Sequence, residues 1–205
     1  MISANAILGL LGCGLLSLAA VATLIRLRRL PARARYAVMP AAALALFVPI
    51  GDLSIAAYVR GVTGDLSAAT VILASAACFE QLTGRTLIGR RDRHALCWLL
   101  VLAAAFLYPF ALGWTPFDPY SLGYGSIEFL TALLCVTLAA WWARLYVIVF
   151  VVIAAALAYL AGAYESRNLW DYLIDPLVCA YALARLLANL RHRPPNDLTK
   201  TVPAG

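Results

Sequence analysis

Seven apolar runs, each close to the length that crosses a bilayer and each closed by a short polar segment, dominate this chain. They fall at roughly 4–25, 37–59, 66–83, 95–113, 125–142, 145–163 and 174–190. A hydrocarbon core about 30 Å thick is crossed by about 20 helical residues. Within it, every backbone polar group must be satisfied, which leaves the helix as the fold for such a run. The expectation is an all-α, polytopic transmembrane helical bundle of about seven spans. The seventh run is the weakest, because it carries Arg185: it either spans or lies at the interface, and spanning places Arg191 and Arg193 on the basic side. Short connections imply one transmembrane domain over 1–190. The polar tail 191–205, RHRPPNDLTKTVPAG, is predicted to be a disordered cytoplasmic extension.

Composition fits this class. The chain is 64% hydrophobic and 13% charged, against about 25% charged in soluble domains. A net charge of +6 does not point to nucleic acid, because the basic residues sit in short clusters between the apolar runs. With the N-terminus outside, 14 of the 16 basic residues fall on the cytoplasmic side, in or beside the 26–36, 84–94, 143–144 and 191–205 segments. Only Arg60 and Arg167 remain outside. This asymmetry predicts an outer N-terminus, a cytoplasmic C-terminus and a bacterial inner (cytoplasmic) membrane location. LLGC at 10–13 has no basic residue before it, and the first charge, Arg26, follows the first run. The first run is therefore expected to stay as an anchor, neither a lipoprotein signal nor a cleaved peptide.

Several chemistries are disfavoured. Cys13, Cys78, Cys97, Cys135 and Cys179 lie singly inside apolar runs, so buried, inert thiols are expected. His94 and His192 both flank arginine clusters, which leaves no intramembrane histidine for haem and no zinc spacing. No cofactor or metal is expected. The chain contains no G-x-S-x-G, phosphate-binding loop or dinucleotide fingerprint. Nor does it carry the G-x-G-D of intramembrane aspartyl proteases.

The tetrapeptide GDLS occurs twice, at 51–54 and 64–67. In the expected topology Asp65 precedes the third helix and Asp175, followed by Pro176, starts the seventh. Both are read as helix-cap acids, since a carboxylate satisfies first-turn amides and the positive end of the helix dipole. Glu128 in the fifth helix and Asp92 in the fourth fall in first turns. Asp52 is different. It lies within the 37–59 run beside Pro49 and Gly51, where no helix starts, and an ionisable group there is expected to have a partner or a function.

Seven of the ten acids lie on the outer side, among many aromatics. The candidate binding residues are Asp52, Arg60, Trp114, Asp118, Tyr120, Tyr124, Glu128, Arg167, Asn168, Trp170 and Asp171. Two functional classes follow. The acidic, aromatic outer loops can dock a partner, making the chain an accessory or scaffold subunit of a larger membrane complex. Alternatively they hold a membrane lipid or envelope-glycan precursor at an outer-leaflet site around Asp52. A small transporter is a third reading. No catalytic motif marks an enzyme.

Overall fold

The computed structural model describes residues 4–113 and 117–191. The fold is all-α, relieved among the described residues only by a hairpin of two two-residue strands. Helix α1 (Ala4–Leu24) leads through a 3-10 turn at Leu27–Arg29 into α2 (Ala32–Ala45). The hairpin strands β1 (Pro49–Ile50) and β2 (Leu53–Ser54) follow, then α3 (Ile55–Thr63) and α4 (Ala68–Thr83). Next come α5 (Arg90–Ala111), a 3-10 turn at Pro119–Tyr124, α6 (Ile127–Trp142) and α7 (Tyr146–Leu160). A single turn, α8 (Leu169–Leu173), precedes α9 (Pro176–Arg191).

The second apolar run is not one helix, which corrects the 37–59 expectation. Proline at 49 donates no amide and biases Val48 away from helical backbone. Gly51 then takes a left-handed φ of 74°, and the chain turns back with Pro49 opposite Ser54 and Ile50 opposite Leu53. Asp52 therefore sits on an exposed hairpin tip rather than inside a helix. The amide of Ala56 closes the detour on Leu46 O at 3.1 Å.

Both copies of GDLS turn out to be helix-start signals, and the serine does the capping. Ser54 accepts from Ala57 N at 3.2 Å to start α3, and Ser67 accepts from Thr70 N at 3.3 Å to start α4. Asp65, expected as the cap, lies two residues before the capping Ser67 and pairs with Arg60 instead. Ser126 and Asn168 cap α6 and α8 by the same device.

Helix α4 joins two packed groups. On one side it meets α1 and α2 around Leu18, Ala22, Leu27, Met39 and Cys78. On the other, α5, α7 and α9 enclose Leu96, Leu100, Val152, Ala155, Tyr172 and Ala182. The α1–α4 contact rests largely on small residues: Ala19 and Ala22 of α1 share one buried cluster with Ala74 and Cys78 of α4, and Gly12 faces Val71. Small side chains let backbones approach closely, so dispersion contacts accumulate where apolar surroundings offer no hydrophobic drive.

Outward, α6 shows Leu130, Leu134 and Leu138, and α7 shows Phe150, Ile153 and Leu157. Ala4–Leu24 and Arg90–Ala111 are each long and apolar enough to cross a membrane. Ala68–Thr83, Ile127–Trp142 and Tyr146–Leu160 are apolar but shorter.

Charge separates along the bundle. At one end Arg93 Nη2 pairs with Glu80 at 2.6 Å, and the Arg28 amide donates to Gln81 Oε1 at 3.1 Å. The other end gathers the starts of α1, α4, α8 and α9 with most of the carboxylates.

Candidate functional site: an acidic, tyrosine-walled cavity

The acidic end is organised by Asp175. This carboxylate is 7% exposed. Its Oδ1 accepts from Val178 N at 2.9 Å, capping α9. Its Oδ2 accepts from Ser67 N at 2.9 Å, from Ser67 Oγ at 2.7 Å and from Thr70 Oγ1. One carboxylate thus serves the N-termini of α9 and α4 together. Two helix dipoles point their positive ends at it, and its acceptor capacity is taken up by fixed donors.

A second knot forms between the 3-10 turn and α8. Asn168, 0% exposed, accepts from Trp170 N at 3.0 Å and donates through Nδ2 to Tyr120 O at 2.8 Å. The Trp170 indole donates to Pro119 O at 2.9 Å and lies 4.4 Å from the Phe129 ring, centroid to centroid. Gly123 leaves the room for this: a Cβ there would fall on the Asn168 amide. Tyr120 OH donates to Asp171 Oδ2 at 2.9 Å, and Ser166 Oγ donates to the same oxygen. Tyr172 OH donates toward Ser166 O at 3.0 Å while Tyr164 stacks on its ring at 4.8 Å.

Between these knots lies a cavity of about 470 Å³ with Asp65, Asp171, Asp175, Tyr108, Tyr120 and Tyr164 in its wall. Among the described residues, Asp171 Oδ1 and Asp65 Oδ2 accept no hydrogen bond. Burial, reinforced by the hydrogen bond to Asp171, holds the Tyr120 phenol above the usual tyrosine range. Burial likewise pushes Tyr164 up to about 12. The phenols stay protonated at neutral pH, so the wall offers hydroxyls beside open carboxylate oxygens. That combination suits hydroxyl-rich or ammonium groups. No nucleophile–base pair accompanies it, and among the described residues no cluster of three or more His, Cys, Asp or Glu could hold a metal.

A second cavity, of about 340 Å³, is an apolar groove between α5, α6 and α7. It runs from Leu96 to Phe106 along α5, about 15 Å at 1.5 Å per residue, and among the described residues Glu128 is the only charged one in its wall. Ile174 belongs to the walls of both cavities.

The candidates named from sequence separate accordingly. Asp65, Tyr120, Asp171 and Asp175 line the acidic cavity, and Glu128 and Trp170 line the groove. Asn168 and Trp170 are interior residues, Trp170 being 6% exposed, which corrects their reading as a surface for a partner. Arg60 is not free: its Nε donates to Asp65 Oδ1 at 2.8 Å across Gly9 of α1. Asp118 caps the 3-10 turn through Tyr120 N at 2.9 Å. Tyr124 and Arg167 are exposed, and Asp52 lines neither cavity. Trp114 lies outside the described residues. Ser67, Thr70, Ser166, Tyr108 and Tyr164 were missed, and only Ser67 carried a signal, through the repeated GDLS.

No protein-family profile, curated protein sequence or solved structure matches this chain.

Proposed function

We propose that the chain is a multi-pass bacterial inner-membrane protein whose acidic end holds a lipid or lipid-linked envelope-glycan precursor. The acyl chain lies in the groove between α5, α6 and α7, and the hydroxyl-bearing or ammonium head meets the Tyr120–Asp171 wall. Seven crossings follow if α2, the hairpin and α3 together make the second passage, with the acidic end outside and the arginines in the cytoplasm. The exposed leucine stripe of α6 and the exposed face of α7 support lipid surroundings.

The observation that carries this reading is the groove itself. It has an apolar wall over three helices with a carboxylate, Glu128, in its lining, beside a cavity of phenols and open carboxylate oxygens. The site differs from the one expected around Asp52, because Asp52 stands on the hairpin tip.

Native mass spectrometry of the protein extracted gently from its own membrane tests the proposal. A lipid or glycolipid should be retained, and Ala103→Phe, which fills the groove wall, should reduce it at least tenfold while thermal unfolding stays cooperative. Equal retention by that variant, or no retained lipid at all, would sink the reading. A stoichiometric second polypeptide would favour an accessory-subunit role instead. For that second reading the support is Tyr124, 61% exposed at the acidic end, with Glu165 and Arg167 also exposed there.

A further inference from the structure

At the opposite end of the bundle, a third cavity opens between the start of α5 and the last turns of α9. Its volume is about 610 Å³, and Arg90, Arg91, Arg93, His94, Arg185 and Asn189 line it, with no carboxylate in the wall among the described residues. Four guanidiniums around one basin repel one another, and an isolated fold gains nothing from holding them there.

The acids nearby do not neutralise them. Glu80 engages Arg93 through Nη2 alone, and Arg93 Nε is buried without a hydrogen-bond partner. Asp92 lies in the first turn of α5 but outside the cavity wall. Among the described residues, Arg90, Arg91 and Arg185 make no ion pair. Helix α5 runs for 22 residues from Arg90, and its N-cap is Gly89, which supplies no side-chain acceptor. Its first-turn amides therefore have no side-chain cap at position 89 beside the arginines, and Asp92 is the one acid in that turn. The Trp98 indole donates to His94 Nε2 at 3.1 Å. That leaves the imidazole proton on Nδ1, so His94 presents one more donor.

We propose that this basin binds a phosphate-bearing anion, either an anionic phospholipid headgroup or a soluble phosphate compound. Guanidiniums match phosphate oxygens in bidentate fashion, and helix-start amides add donors to the same charge. Basic pockets between transmembrane helices take lipid headgroups by this chemistry. The proposal is independent of the acidic end and stands whether or not a lipid occupies the α5–α6 groove.

The test places the full chain in phosphatidylcholine nanodiscs and titrates phosphatidylglycerol, and separately inorganic pyrophosphate, with Arg91→Gln/Arg185→Gln beside wild type. Arg33→Gln, an exposed residue of α2 outside the basin, is the charge control. Saturable binding that weakens at least tenfold in the double variant and stays unchanged in the control is expected. If phosphatidylglycerol alone binds this way, the basin serves a lipid; if pyrophosphate binds and competes, it serves a soluble anion. Should the double variant unfold, Arg185→Gln alone removes an exposed, unpaired side chain and should weaken binding about threefold. Undiminished binding in the folded variants, an equal loss in the control, or no saturation with either probe would overturn the proposal.

Discussion

Asp175 accepts both the backbone amide and the hydroxyl of Ser67, a residue 108 positions earlier in the chain. The pair ties the start of α9 to the start of α4, and Thr70 and Val178 complete the shell. Charged hydrogen bonds contribute about 1.5–3 kcal/mol, and stranding a buried donor costs about 1–3 kcal/mol. Asp175→Ala should therefore destabilise the protein by about 2–4 kcal/mol, most of it from the Ser67, Thr70 and Val178 donors left behind. Asp175→Asn should cost less, because the amide oxygen still accepts. Unfolding in detergent micelles measures both, and equal stability of the alanine variant and wild type would refute the assignment.

The two serine caps offer an internal comparison. Replacing Ser54 with alanine removes one acceptor for Ala57 N, worth about 1 kcal/mol at a helix start. Ser67→Ala removes the corresponding acceptor for Thr70 N and also the hydroxyl that donates to Asp175. It should cost roughly twice as much. Equal losses would mean that the bond to Asp175 contributes nothing to stability.

Trp170 and Tyr124 separate interior from surface. Trp170→Ala empties a site packed against Phe129 and strands Pro119 O, so a loss of about 3–5 kcal/mol is expected. Tyr124→Ala should stay within about 0.5 kcal/mol, as exposed positions do. If Trp170→Ala left stability intact but released a bound protein, the indole would be a docking residue after all.

Alkaline titration should weaken the fold. Free tyrosine ionises near pH 10, whereas Tyr164 is pushed up to about 12 and Tyr120 also lies above the ordinary range. Between these limits the unfolded chain loses protons that the folded chain retains. Stability is therefore fully present below about pH 10 and falls as pH rises toward 12. Tyrosinate absorbance followed beside the melting temperature reads this directly, and Tyr164→Phe should flatten part of the slope. A melting temperature constant through that range would count against the buried phenols.

Much of the helical framework was legible because apolar runs of this length admit few folds. The 95–113 run became Arg90–Ala111 and the 145–163 run became Tyr146–Leu160. The 37–59 run misled because hydropathy averages over Pro49 and Gly51, whose backbone demands outweigh the apolar side chains around them. The site was less legible. Asp175 could be named as an acid at a helix start and Asp171 as a candidate binding residue, but nothing local says that Ser67 and Thr70 would share the first or that Tyr120 would bond the second. Those partners are set by which helices pack together, and a single sequence records no such distances. Trp170 and Asn168 were placed on the rim for the same reason: aromatic and amide side chains in a loop read as surface until the Pro119–Tyr124 turn folds over them.

The carboxylate shared by α4 and α9 has a consequence for the order in which the chain matures. Helix α4 is synthesised more than 90 residues before Asp175 leaves the ribosome. Until then Ser67 and Thr70 lack their acceptor, and the start of α4 depends on its serine cap alone. The last helix therefore acts as a latch. A nascent chain arrested before α9 carries an incompletely satisfied helix start, so an unfinished molecule differs from a finished one at Ser67 and Thr70.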